Sequence, residues 1–492
     1  MKIKYVCLSD MHLGQDNSLL TNLLVADSSL DNSSASPVLQ SLCDGLRESI
    51  KNANVGTGDK PILILNGDTL ELALADVNVA SQVFLRFIEC AMPPDNEIFS
   101  DIIYIPGNHD HHIWELARET QYIEYLKGRN DLTAKNAKIE APWHTTNLIQ
   151  DPEHPLSSYF LNGLVRHYNN LRTFNIKIAY PNLGISSNDG NNFVIFHHGH
   201  YVESIYMFMT EFMSWVFPGR GEPAEIWDIE KENFAWIDFF WSTMGRSGQA
   251  GSDVEVIYEA LPVEKARNKL ISNLCTSLTK MSNLPGWEEW IEGKFLEKFL
   301  NFLADHIINS ERSQTAEVLS ADARTGLWKY MEGPVLLQLL RTLRKNQNKP
   351  DDIKPDMPKD ITFVFGHTHK PYQSDEDFKG YPVWVDVYNT GGWVVESVQR
   401  QPITGASVVL FDENLNSTSI RLYNEADDPT KYQVQVIQAS KKGANPFHEF
   451  IKNLVMNTPV IEDKWKDFSK KVAQAVDIRA KHLKAKLARS ED

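Results

Sequence analysis

The chain has 492 residues, 42% hydrophobic and 23% charged, a balance that fits a folded globular protein and excludes disorder along its whole length. A formal charge of -16 and a pI near 5.4 disfavour a surface that coats nucleic acid, although bound cations can reverse the field of one cleft. Four cysteines, Cys7, Cys43, Cys90 and Cys275, stand far apart with no C-x-x-C pair, so neither a disulfide framework nor a thiolate zinc site is indicated and reduced thiols are expected.

In chain order, five short runs at 3–8, 62–65, 102–105, 193–196 and 361–365 are β-branched or aromatic and almost free of polar residues. That is the pattern of strands buried on both faces. The first run opens the chain, no secretory signal is visible, and no apolar run is long enough to cross a bilayer, so a cytoplasmic protein is expected. The intervening segments have room for crossover helices; within 79–90, Val83, Phe84, Phe87 and Ile88 fall at helical spacing. The stretch 201–345 differs, with Trp290, Phe295, Phe299, Phe302 and Leu303 at helical periods, and it ends in a polar, proline-bearing linker at 346–360. Strand character returns at 361–365, 383–387, 407–411 and 419–423, and the remainder reads as helix. This predicts a discontinuous core at 1–200 and 361–425, a helical insertion and linker at 201–360, and a helical tail at 426–492.

Each of the five buried runs ends in an unusual polar motif: Asp10-Met11-His12, Gly67-Asp68, Gly107-Asn108-His109-Asp110, His198-Gly199-His200 and Gly366-His367-Thr368-His369. The carboxyl ends of strands in an α/β sheet form its ligand crevice, so five loops would deliver these side chains to one place. Carboxylate and imidazole without thiolate suit manganese, iron or zinc. Asp10 and His12, and again His367 and His369, are spaced to lie on one side of an extended chain, able to clasp one ion. The glycines Gly67, Gly107, Gly199 and Gly366 permit the tight backbone needed to turn a side chain inward. Singly, a D-x-H is most often a surface accident and a histidine beside a strand a structural one; five such motifs in order at strand ends are not explained that way.

The ordered set resembles that of the calcineurin-like metallophosphoesterase superfamily: D-x-H, G-D, G-N-H-D/E, H and G-H-x-H. It covers roughly residues 1–110, 190–200 and 360–395. The resemblance implies an α/β fold, a four-layer α-β-β-α sandwich with the metals at its edge, carrying here a large mainly helical insertion and a helical C-terminal tail. It implies a hydrolase, a metal-dependent phosphoesterase with two divalent ions, manganese first and iron or zinc as alternatives. One ion would take Asp10, His12 and His369, the other Asn108, His198 and His367, and Asp68 would bridge them. His198 is preferred to His197 because the family places this ligand just before glycine. His109 would assist the leaving group. Glu71, where the family often has a carboxylate, would hold His109 in place, unless it is a solvated acid at a helix start. Two cations about 3.5–4 Å apart neutralise a phosphoryl group and acidify a bridging water, whose hydroxide attacks in line.

The substrate is less legible. Residues 66–71 and 366–371 are similar to the bacterial UDP-2,3-diacylglucosamine pyrophosphohydrolase branch, but Gly107-Asn108-His109-Asp110 lacks the arginine of its familiar members and the chain is much longer. Asn389-Thr390-Gly391-Gly392-Trp393 resembles the N-x-G-S-W turn of many bacterial members. Leu72 and Ala73 after Glu71, and Asp110 in place of Glu, argue against a protein phosphatase. A nuclease would need a basic groove, a cyclic-nucleotide phosphodiesterase remains an alternative, and the intact His109 argues against a non-catalytic scaffold. The expected partner is a phosphorylated small-molecule or lipid-linked substrate; oligomeric state is open. The segment 201–217, with Ile205, Phe208, Met209, Phe212, Met213 and Trp215, reads as a buried helix or as an apolar wall beside the metals. In the tail, Lys464, Lys466, Lys470, Lys471, Arg479, Lys481, Lys484, Lys486 and Arg489 accompany Trp465, Phe468, Val472, Val476, Leu483 and Leu487 near helical spacing. Such a basic amphipathic helix lies on the inner membrane, binds a partner, or folds back on the acidic body.

Overall fold

The computed structural model describes residues 1–24, 29–217, 219–243, 317–439 and 445–491. Cys275, Trp290, Phe295, Phe299, Phe302 and Leu303, the middle of the expected insertion, lie outside the described residues. The strands in chain order are β1 (Tyr5–Leu8), β2 (Ile62–Asn66), β3 (Asp101–Ile105), β4 (Lys177–Ile178), β5 (Asn182–Ser186) and β6 (Asn192–His197). They continue with β7 (Asp360–Phe365), β8 (Tyr372–Glu376), β9 (Val385–Asn389), β10 (Gly405–Phe411), β11 (Ser417–Asn424) and β12 (Gln435–Ile437). A seven-stranded sheet runs β12-β11-β10-β1-β2-β3-β4 and a five-stranded sheet runs β5-β6-β7-β9-β8. Strands β1 to β4 are parallel, as are β6, β7 and β9.

The apolar runs are explained by their two neighbours. Val6, Leu8, Leu63, Leu65, Ile102 and Tyr104 point outward into a helical layer, while Cys7, Ile64 and Ile105 alternate with them and point inward. The inward set meets Val194, Phe196 and Val364 of the second sheet, so the two sheets share one core. Phe193, Ile195, Ile361, Phe363 and Phe365 face a second helical layer on the far side. This is the four-layer α-β-β-α sandwich.

The helices are α1 (Pro37–Ala53), α2 (Val77–Ala91), α3 (His112–Gly128), α4 (Tyr159–Val165), α5 (Phe208–Val216) and α6 (Ile226–Ile237). After these come α7 (Ala321–Tyr330), α8 (Leu336–Asn346), α9 (Pro446–Asn457) and α10 (Pro459–Glu491). Their starts are readable: Ser36 Oγ accepts from Leu39 N–H with Pro37 next, and Asn445 Oδ1 accepts from Phe447 and His448 N–H with Pro446 next. Met331–Val335 forms a widened turn around Pro334 that joins α7 to α8. Among the described residues no helix is long and apolar enough to cross a membrane.

The structure refines the expected organisation in three places. Strands β4, β5, β8 and β12 were not expected: β4 is two residues long, and β8, Tyr-Gln-Ser-Asp-Glu, is a polar, half-buried edge strand without an apolar run. The expected insertion and tail have no separate cores among the described residues. Ile226, Ile229, Leu327, Tyr330, Val335 and Leu339 form the outer layer on the five-stranded sheet. Phe447, Ile451, Trp465 and Phe468 join the layer on the seven-stranded one.

The tail folds back. Trp465 is 2% exposed, lies on Gly45 of α1 and donates its Nε1–H to Ser49 Oγ at 3.1 Å. Phe468, Val472, Val476 and Leu483 are buried with it, so the apolar stripe is inside the body. The basic residues are largely answered by their own helix, as in Lys466–Glu462 and Lys471–Asp467, with Lys486 reaching Asp16. Trp465→Ala is therefore expected to lower unfolding free energy by about 3–5 kcal/mol in denaturant titration. Lys466→Ala, whose side chain is 60% exposed, should stay within about 0.5 kcal/mol of the parent.

Candidate active site

The carboxyl ends of β1, β2 and β3 in one sheet and of β6 and β7 in the other meet at one edge, and the five motif loops are there. They are tied to one another through the backbone. Asp10 N–H donates to Gly67 O at 3.0 Å, His12 N–H to Asp68 O at 2.9 Å, and Gly366 N–H to His198 O at 2.7 Å. Two carboxylates extend this across loops: Asp10 Oδ1 accepts from His367 N–H and Asp68 Oδ1 from His109 N–H, both at 2.8 Å. Asp110 closes the set, taking Gly107 N–H on Oδ1 and Thr69 N–H, Leu70 N–H and the Tyr104 hydroxyl on Oδ2. Burial, with the charge of Asp68, pushes the Asp110 carboxyl up to about 6.

The backbone is strained where it presents the side chains. Asp10, His12, Asp68, His367 and His369 adopt φ of 50°, 43°, 47°, 70° and 57°. Left-handed backbone costs a non-glycine residue roughly 1–2 kcal/mol, and such strain gathers at functional sites. Two neighbouring glycines are required by contact. A Cβ on Gly67, itself at φ 89°, would lie 2.2 Å from His198 Nδ1, and one on Gly366 would lie 2.1 Å from Asp10 Oδ2.

The presented atoms converge. Asp10, His12 and His369 each bring one donor atom within 4.8 Å of the others, and so do Asp68, His198 and His367. His12 Nε2 is 3.2 Å from His369 Nε2, which is 3.4 Å from Asp10 Oδ1. His198 Nε2 faces Asn108 Oδ1 at 3.0 Å, Asp68 Oδ2 at 3.1 Å and His367 Nδ1 at 3.3 Å. Asp68 Oδ2 is also 3.7 Å from His12 Nε2, which places this carboxylate between the two groups. All seven residues are at most 1% exposed.

The outward nitrogens of His12 and His198 are hydrogen-bonded, and a carboxylate lies within ion-pair distance of those of His369 and His367. His12 Nδ1 binds Glu71 Oε2 at 2.8 Å, and His198 Nδ1 meets the Asn66 carbonyl at 3.2 Å. Carboxylate oxygens of Glu396 and Glu203 lie 2.9 Å from His369 Nδ1 and 3.0 Å from His367 Nε2. In the neutral ring of His12 or His198, a proton on the hydrogen-bonded outer nitrogen leaves the inner one as a lone pair. Four imidazoles and two carboxylates aimed at one buried place fit a pair of divalent cations and little else.

His109 sits differently. It is 6% exposed, and its Nδ1 is 2.9 Å from Glu71 Oε1. Glu71 is fully buried, not a solvated acid at a helix start. Burial raises its pKa, but the charges and N–H groups of His109 and His12 prevail and hold it far below the carboxylate range. One carboxylate thus braces both His12 and His109. His12, Asp68 and His109 also bring donors within 4.8 Å of one another, so proximity alone does not separate His109 from the ligand set. His197 points the other way, into a nest of rings with Tyr201, Tyr330 and His200.

Three residues escaped sequence reasoning: Glu203, Glu396 and Tyr206, whose hydroxyl accepts from Asn108 Nδ2 at 3.1 Å. Only the resemblance of 389–393 to a known turn pointed near Glu396. Tyr206 also lies edge-on to the His367 ring.

The family model of calcineurin-like phosphoesterases matches residues 3–240, which includes four of the five motif loops. Among solved structures, a dimetal phosphatase from Danio rerio is similar over 89% of this chain and 100% of its own, at 11% identity. Its TM-score of 0.29 is too low to carry an argument. No curated protein matches the chain.

Burial lowers the His198 pKa, but the Asp68 charge outweighs it and lifts the pKa to about 9. A cation taken at Nε2 must displace that proton. Metal uptake at pH 7 should therefore release protons, and affinity should climb with pH and level off above about 9. Manganese titration in a weakly buffered pH indicator reads both; uptake without proton release would contradict the placement of Nε2.

Proposed function

The chain carries a calcineurin-like phosphoesterase domain, and we propose that it is a dinuclear metal-dependent hydrolase of a phosphate ester or anhydride, with manganese its first candidate ion. The observation that supports this reading above all others is the convergence of four buried histidines with Asp10 and Asp68, their inner donor atoms within 4.8 Å in two groups. In this reading Asp10, His12 and His369 hold one ion, Asn108, His198 and His367 the other, and Asp68 serves both. Two such cations supply neutralisation of phosphoryl charge and a water acidic enough to attack at neutral pH.

The protein's own residues do the rest. His109, braced at Nδ1 by Glu71, keeps Nε2 for the substrate, where it hands a proton to the departing oxygen. Glu71 prevents the ring from turning. Tyr206 and its neighbours exclude water from one flank. Beside the site, Val202, Ile205, Met207 and Ile229 line part of a cavity of about 510 Å³ that Glu203 also borders. Glu211, Glu222, Asp322 and Lys329 share that lining, so the cavity is mixed in character. The motifs at 66–71 and 366–371 make a pyrophosphate bearing an acyl chain the first substrate to try, alongside simple mono- and diesters.

Protein prepared without chelator should hold about two transition ions per chain by elemental analysis. His109→Ala should keep both and lose turnover roughly 10²–10⁴-fold on a substrate with a poor leaving group, less with an activated one. Asp68→Ala should lose metal and turnover together. Loss of metal in the His109 variant would make His109 a ligand and end its assignment as the acid.

A further inference from the structure

The two halves of the metal site are braced by different parts of the chain. On the side of Asp10, His12 and His369, the bracing groups are Glu71, after β2, and Glu396, in the connection from β9 to β10. Both belong to the sandwich. On the side of Asn108, His198 and His367, two of the bracing groups come from one short turn, 203–206, directly after β6. Glu203 Oε1 lies 3.0 Å from His367 Nε2, and the Tyr206 hydroxyl takes the Asn108 Nδ2–H at 3.1 Å. That bond turns Asn108 so that Oδ1 faces His198 Nε2 at 3.0 Å.

The turn is itself set by the outer helical layer. Trp236 of α6 donates Nε1–H to Ile205 O at 2.9 Å. Gly326 of α7 lets that helix approach so closely that a Cβ there would lie 2.0 Å from Val202 O.

We propose that the helical segment between β6 and β7 sets the affinity of one of the two metal subsites, through Glu203 and Tyr206 as positioning residues, and leaves the other to the core. This rests on the dinuclear reading above. Groups that orient a metal-bound histidine or amide change metal affinity by about ten- to a hundredfold when removed. Among the described contacts the bracing of His12 and His369 is separate from that of His367 and Asn108, so the larger effect falls on one ion.

The test is manganese titration by calorimetry, with electron paramagnetic resonance of the loaded protein, on full-length parent, Glu203→Gln, Tyr206→Phe and Gly326→Ala. The parent should bind two ions and show a spin-coupled pair. Glu203→Gln and Tyr206→Phe should keep one site at parental affinity and weaken the other about ten- to a hundredfold. At one equivalent above the tight site they should show an uncoupled single-ion spectrum. Gly326→Ala, which touches no ligand, should move in the same direction. Glu396→Gln should instead weaken the first subsite. Tyr206→Phe removes only a hydroxyl, so folding is preserved even if another variant fails. Two sites at parental affinity in both Glu203→Gln and Tyr206→Phe, or equal weakening of both sites, would overturn the inference. A parent that binds no manganese would overturn the dinuclear reading itself, and so tells the two failures apart.

Discussion

Burying several carboxylates and imidazoles together is costly unless each is paired, and that cost governs the region where the two sheets meet. Asp10, Asp68 and four histidines at near-zero exposure would repel or strand one another if their orientations were free. The structure removes that freedom from the outside inward. Glu71 takes the outer nitrogen of His12 and the Asn66 carbonyl that of His198, while Glu396 and Glu203 stand within ion-pair distance of those of His369 and His367. Backbone N–H groups of His367 and His109 take Asp10 and Asp68. What remains is an inward-facing set whose chemistry a pair of hard cations satisfies.

The same constraint explains the strain. Five presenting residues stand in left-handed backbone, a cost of several kcal/mol if each carries about 1. It is tolerated because the loops cannot relax singly. The loop after β1 hydrogen-bonds the loop after β2, Asp110 holds that loop to its own, and the loop after β7 binds Asp10. Moving one ligand means breaking bonds to two neighbours. A double-sided core then anchors the strands beneath, since each alternates between inter-sheet and helix-facing residues.

The sandwich and the inner ring of ligands were legible in the sequence because both repeat a local rule. A strand buried on both faces is a short apolar run whatever its partner, and a ligand at its end is a polar residue beside a glycine. Those rules mark 3–8 through 361–365 and their motifs without knowledge of the partner strands. The outer ring was not legible, because it obeys no local rule. Glu203 lies in a pair of tight turns and Glu396 in a connection, each an ordinary surface-type acid until the tertiary fold places it against a histidine. The short and polar strands failed for the converse reason: β8 is half-buried throughout, and only Tyr372 of its five residues is apolar enough to mark a packed face. The tail's stripe was readable as a helix face, but its packing partner was not: α1, whose Gly45 leaves room for Trp465, is distant in sequence.

Where an addition enters the chain determines how closely it couples to the site. A segment placed between β6 and β7 leaves one ligand loop and must return to another, so its first turn is held beside His198 and its course is bounded by His367. Contact between that segment and the metals is thus built into the topology, and Glu203 and Tyr206 are its visible form. The tail joins after the last strand and has no such obligation. It still reaches inward, for Arg479 donates to Ser18 O at 3.2 Å and Ser18 Oγ donates to Met11 O at 2.7 Å, between Asp10 and His12. That path passes through a backbone carbonyl and a hydroxyl before it meets the metal loop, and it ends on main chain, not on a ligand. The segment after β6 instead reaches the side chains of His367 and Asn108 directly, through Glu203 and Tyr206.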